Sequence, residues 1–206
     1  MTDSKTPQAS IALAVFNHTG STPDCFELHE HGVVCRQGDA RTYTAFADIQ
    51  DLCLLASGPD AACGLIDSFA YRTHAARGWT RVPAEVGEFS KLMDAFRSRY
   101  VAQRLPVLEE AIAGGERVAF RFIRSGDFPD LETQELALSA DGLHMGGAVW
   151  PYESLKRIDL NQWTETISLQ DEDGKTVFSC PAARLLSSDL FVNLVYDQLG
   201  RTAEYA

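Results

Sequence analysis

Positive charge is what this 206-residue chain has least of: 18 lysines and arginines stand against 29 aspartates and glutamates, for a net charge of −11 and an isoelectric point near 4.8. Nucleic-acid binding needs clustered Lys or Arg to meet phosphates, and adsorption to anionic lipid needs the same, so neither partner is expected. Long apolar runs are missing as well. No stretch approaches the roughly 20 apolar residues that span a bilayer, and the opening MTDSKTPQAS is polar, without the apolar centre of a signal peptide. A cytoplasmic location is the expectation. The five cysteines, Cys25, Cys35, Cys53, Cys63 and Cys180, are odd in number and scattered through apolar segments, which suits reduced core thiols better than a disulfide frame.

Catalytic signatures are also missing. The chain contains no G-x-S-x-G, G-x-x-x-x-G-K-[ST], G-x-G-x-x-G or H-E-x-x-H. Cys25, His29, His31 and Cys35 are all metal-ligand types, but their spacing departs from the usual zinc arrangements, and a hairpin turning at His31-Gly32 sets Cys35 across from Leu28, away from Cys25. Strand surface and core thiol are the roles expected of them, with no cofactor or metal. Asp127, Asp130, Glu132 and Glu135 read as a solvated acidic face, and His74 and His144 stand singly. An enzyme, of hydrolase type with a carboxylate or cysteine site, is therefore the least favoured reading.

What is present is an internal repeat. QELALSADGLHMGGAVWPYESLKRIDL, at 134 to 160, has a rougher copy in FELHEHGVVCRQGDARTYTAFADIQDLCLL, at 26 to 55. Leu136 and Leu138 alternate with polar neighbours, the period of a half-buried strand; Asp141-Gly142 is a hairpin signal, and Leu143 and Met145 resume the alternation. Leu28 answers Leu138, His31-Gly32 answers Asp141-Gly142, Gly38-Asp39 answers Gly146-Gly147, and Phe46 and Ile49 answer Tyr152 and Leu155.

Taken in order, residues 1–9 form a polar tail. Seven strands follow: Ile11 to Phe16, two in the hairpin at 25–38, Arg41 to Phe46, Ile49 to Leu55, Leu65 to Tyr71 and Trp79 to Val82. Val86, Phe89, Leu92, Met93, Phe96 and Tyr100 then recur at three and four residues, the apolar stripe of a helix packed on its own sheet. Pro106 disfavours helical geometry at Leu105, so the helix is expected to stop or kink near Arg104 and restart as a helical connector over 105–116, ending at Gly114-Gly115. From Arg117 the pattern begins again, with seven more strands and an Asp173-Gly174 hairpin that sets Leu169 beside Phe178 and Ile167 beside Cys180. Ser187 or Ser188 caps a final helix through Leu190, Phe191, Leu194, Val195 and Leu199 that Gly200 ends, in which FVNLV echoes FSKLM at 89–93. The division is thus 10–104, 105–116 and 117–200, with a tail at 201–206.

Seven short antiparallel strands and one amphipathic helix, occurring twice, resemble the pleckstrin-homology-like (PH-like) superfold of bacterial domains. ELHEHGVV…YTAFADI and ALSADGLH…VWPYESL carry the resemblance. It implies an α+β, mostly β chain of two PH-like modules, each a bent seven-stranded antiparallel sheet or barrel capped by a C-terminal helix. Families of this shape that bind phosphoinositides use basic residues after the first strand; here those loops read NHTGSTPD and RSGDFPDLET, so that role is not carried over. The function expected is non-enzymatic: a binding or assembly module for a protein or peptide, compatible with a homodimer. A peptide would add along the fifth strand of a module, near Ile49 to Leu55 or Leu155 to Leu160. Ile49, Leu155 and Ile158 are the candidate contacts. Of the tryptophans Trp79, Trp150 and Trp163, the last, beside a turn, is the one expected to be partly exposed. The alternative is a carrier of a small apolar ligand or lipid.

Overall fold

The computed structural model describes residues 11–19, 24–56, 66–74, 78–83, 85–161 and 166–204. The first half contains β1 (Ala14–Asn17), β2 (Cys25–Leu28), β3 (Gly32–Gln37), β4 (Ala40–Ala45), β5 (Asp51–Ala56), β6 (Ile66–Arg72), β7 (Thr80–Val82) and the helix α1 (Phe89–Ala113). The second contains β8 (Val118–Ser125), β9 (Glu132–Ser139), β10 (Gly142–Met145), β11 (Ala148–Trp150), β12 (Leu155–Asn161), β13 (Thr166–Asp171), β14 (Thr176–Pro181) and α2 (Ser188–Glu204). The chain is α+β and mostly β. Each set of seven strands divides into a four-stranded and a three-stranded antiparallel sheet, β1 to β4 with β5 to β7 and β8 to β11 with β12 to β14, where a single seven-stranded sheet was expected. The break falls where a short 3-10 turn, Phe46–Asp48 or Tyr152–Ser154, interrupts the ladder between the fourth and fifth strands of each half.

The pairings repeat residue by residue. Leu28 faces Val33 and Val33 faces Thr44; Leu138 faces Leu143 and Leu143 faces Trp150. Gly32 and Gly142 sit at corresponding places for one reason: a Cβ on either would run into a backbone carbonyl of the neighbouring strand, that of Thr44 or of Trp150. The first hairpin turns one residue earlier than the sequence suggested. His29 N–H donates to the Gly32 carbonyl at 2.9 Å, leaving Glu30 and His31 as the loop. The register therefore slips by two, and Cys35 faces Phe26 instead of Leu28. The Asp173-Gly174 hairpin has the expected register, with Leu169 on Phe178 and Ile167 on Cys180.

The helices depart from expectation at three places. First, α1 runs unbroken through Pro106, and the expected connector at 105–116 is its last turns plus the Gly114-Gly115 turn. Proline removes the hydrogen bond to the residue four back, but Ala102 and Pro106 both lie on the exposed face, open to solvent, while Leu108 and Ile112 stay buried on the other. Second, α2 passes through Gly200 to Glu204; a glycine ends a helix when it turns left-handed, and among the described residues Gly200 is not one of the glycines with positive φ. Third, Ser187 does not cap α2 with its hydroxyl. It takes φ 57, its carbonyl accepts from the Leu190 and Phe191 N–H groups, and its side chain is committed elsewhere. Glu88 occupies the matching place before α1, with φ 56 and its carbonyl accepting from Leu92 N–H. That anchor aligns Leu92, in place of Phe89, with Phe191.

One apolar cluster runs through both halves. Phe96 of α1 is its centre in the first, with ring centroids 5.3 Å from Phe46, 4.8 Å from Phe69 and 5.3 Å from Tyr71. Phe191 of α2 meets Phe120 and Phe178 in the second. On the opposite face of the first sheet a carboxylate is buried: Glu27 binds Arg36 at 2.9 Å, Arg41 at 2.8 Å and His29 at 3.3 Å. Burial alone would raise its pKa, but the hydrogen bonds from Arg41 and His29 and the charges of Arg41 and Arg36 outweigh it and hold the carboxyl below its ordinary 4.5. A depressed folded-state pKa gives stability that is present above the unfolded value and lost as pH falls through the folded one. Urea midpoints measured downward from pH 5 are expected to fall less steeply in Glu27→Gln than in the unaltered protein; parallel curves would refute the linkage.

Candidate functional site

The two halves meet along the outer edge of β5. Leu52 N–H donates to Ser187 Oγ at 3.0 Å, and Ser187 N–H donates to the Leu52 carbonyl at 2.7 Å. Tyr100 of α1 closes the group, its phenol 2.8 Å from the same Oγ; burial pushes that phenol up, so it stays protonated and neutral. Beside it, Asp51 is gripped from both halves, by Arg72 Nε at 2.7 Å and by Arg121 Nη1 at 2.9 and 3.1 Å. Its side chain is 4% exposed. A bidentate pair of Arg97 on α1 with Asp189 on α2, both contacts 2.7 Å, ties the helices together. Leu186 N–H donates to the Arg121 carbonyl at 3.0 Å, and Leu185 makes an isolated bridge to Phe122.

Next to this junction lies a cleft of about 570 Å³ with walls from both halves. β5, Ser68 and Arg81 form one side; Phe122, Ile123, the loop from Gly126 to Leu131 and the 3-10 turn Ala182–Arg184 form the other. The loop is seated by aromatic contact, Phe128 lying 5.6 Å from Trp79, which in turn carries the Arg72 guanidinium at 4.3 Å. Antiparallel backbone groups alternate in direction along a strand. Because Leu52 turns outward to Ser187, Leu54 turns its N–H and C=O outward as well. The Leu54 side chain is buried in the core, so its backbone is what lines the cleft. Among the described residues its carbonyl meets only the Cys53 thiol, at 4.0 Å. Cys53 and Cys180 also line the cleft, but burial pushes both thiols up to about 12. Neither is an activated nucleophile at neutral pH.

The contacts expected from the sequence are placed differently. Ile49 is 0% exposed and Leu155 5% exposed; both point into the core because each ends a 3-10 turn whose apolar residue folds inward, and neither is available to a partner. Ile158 is half-buried against the core, and α2 packs directly on β12. Trp163 and Cys63 lie outside the described residues. Trp79 and Trp150 are half-buried, and Cys25, Cys35, Cys53 and Cys180 are buried free thiols. Asp127, Asp130, Glu132 and Glu135 are all exposed. Among the described residues no three His, Cys, Asp or Glu side chains converge as metal ligands, and no helix is long and apolar enough to cross a membrane.

Sequence reasoning missed two features. Ser139 Oγ bonds His144 Nε2 at 2.7 Å and accepts from the Asp141 N–H at 3.2 Å; the hairpin brings together a pair that reads as two unrelated polar residues along the chain. The cleft itself depends on how the halves dock, and its only sequence trace is the turn-rich Gly126 to Asp130. No family model matches the chain, and no curated protein matches it.

Proposed function

We propose that this chain is a non-enzymatic binding or assembly module of two PH-like units, and that it takes an extended peptide or protein segment in the cleft between its halves. The two successive runs of four strands, three strands and a helix support the PH-like reading. One observation carries the binding reading: β5 is hydrogen-bonded by Ser187 at Leu52, and two residues further on its outward backbone groups face a cleft. An unpaired strand edge offers main-chain hydrogen bonds to an added strand, and alternate side chains of that strand then find pockets on either side. Phe122, Ile123, Phe128 and Leu131 supply apolar walls for them. The aromatic filling around Phe96 and Phe191 favours this reading over a carrier with an internal cavity.

Amide hydrogen exchange tests it. With a peptide selected from a random display library against the full chain, exchange at Leu54 is expected to slow by at least about tenfold, while Leu52, already bonded to Ser187, is unchanged. Leu54 exchanging equally fast with and without a saturating bound peptide would rule out strand addition here.

A further inference from the structure

Resting on that strand-addition reading, we infer that the segment bound in the cleft carries a carboxylate beside an apolar residue, and that Arg81 and Arg184 receive it. Both line the cleft, and among the described residues neither forms an ion pair, whereas Arg72, Arg97 and Arg121 nearby each hold an aspartate. Among the described residues, Arg81 is positioned by a hydroxyl and a ring and not by a carboxylate. Its Nη2 donates to Ser68 Oγ at 3.2 Å, and its guanidinium lies 6.0 Å from the Phe128 ring centroid. The Ser68 hydroxyl donates in turn to Asp67 Oδ1 at 3.0 Å, and among the described residues the bond to Ser68 is the one hydrogen bond that Arg81 donates from its side chain. Arg184 is exposed at the end of the 3-10 turn that walls the cleft.

Among the described residues that line the cleft, Asp127 is the one acidic residue, against these two guanidiniums. In a chain of net charge −11, this is a local reversal of sign. A guanidinium fork matches a carboxylate in shape and donors. The remaining walls, Phe122, Ile123 and Leu131, fit an aliphatic or aromatic side chain next to the acid. A neighbouring cleft of about 670 Å³, lined by Thr42, Thr44, Thr80 and Arg72, lacks this character, because its arginine is bound to Asp51.

A display selection on the immobilised full chain decides the matter, followed by titration of one selected peptide, its Asp→Asn or Glu→Gln copy, and the R81Q/R184Q double variant. The expected result is an Asp or Glu at a fixed place next to an apolar residue in the selected peptides. A loss of affinity of at least about tenfold should follow when either the peptide acid or the two arginines are neutralised, and the loss should shrink at high salt. The variant must keep the thermal midpoint of the unaltered protein; both side chains lie at the rim of the fold, and single substitutions replace the double one where it does not. Peptides that slow Leu54 exchange but show no acid preference and bind the double variant equally well would overturn the carboxylate inference and leave strand addition standing. Selection of no peptide, or of peptides that leave Leu54 exchange unchanged, would overturn both.

Discussion

Asp51→Ala is expected to lower the stability of the whole chain by about 3–5 kcal/mol, the range for breaking a buried ion pair by removing one partner. The figure should fall toward the lower end, because the guanidiniums left behind are partly solvated: Arg72 is 14% and Arg121 20% exposed at the side chain. The carboxylate accepts hydrogen bonds from both halves, so its loss strands two cations facing each other across the junction. Urea denaturation measures this directly. A change under about 1 kcal/mol, the level of a solvent-exposed pair, would mean that the junction is held by other contacts.

Phe96→Ala is the second large effect. The ring is 1% exposed and sits within 4.8 to 5.3 Å of three other rings, those of Phe46, Phe69 and Tyr71. Truncation removes the transfer free energy of a benzyl group, leaves a void lined by rigid rings that close on it poorly, and forfeits the edge-to-face contact with Phe46. About 3–5 kcal/mol is expected, read as a fall in thermal midpoint of about 10 °C for a chain of this size. Phe96→Leu should recover more than half of the loss. A drop of under about 1 kcal/mol for Phe96→Ala would show that α1 is not the plug of the first half.

The elements that were legible in the sequence are those whose cause is local. Asp173-Gly174 between alternating apolar residues sets its hairpin without outside help, and Gly174 has the positive φ of 77 that such a turn uses. The stripe from Leu92 through Phe96 to Tyr100 announces a buried helix face. The misreadings share a different origin. Pro106 reads as a break because proline disfavours helical geometry at the residue before it, and the pattern does not show that the helix continues through it with Leu108 and Ile112 still buried. The turn at Glu30-His31 was placed one residue late because Gly32 looked like a turn glycine, when its hydrogen is needed for clearance from the Thr44 carbonyl. Ile49 and Leu155 read as contacts because they open the fifth strand of each half, and the pattern does not show that the 3-10 turn before them swings both inward.

The cleft was out of reach for a further reason. Its parts, Leu54, Arg81, Phe128 and Arg184, are brought together by the docking of the halves. That docking is determined by contacts such as Arg121 to Asp51 and Ser187 to Leu52, which are 70 and 135 residues apart in the chain. No periodicity or turn signal encodes a pairing over that distance. Ser187 itself looked like an ordinary cap, and only its left-handed backbone reveals that its hydroxyl is turned away from its own helix.

The bond from Leu52 to Ser187 also bears on how the protein is made. A ribosome adding residues from the N-terminus delivers all of β1 to β7 and α1 well before it delivers the serine that closes the β5 edge. Until then the nascent first half presents a bare ladder of amide and carbonyl groups at that edge, the kind of surface on which holdase chaperones act and neighbouring nascent chains can associate. Completion of the last stretch before α2 covers that ladder at Leu52 and leaves Leu54 facing the cleft.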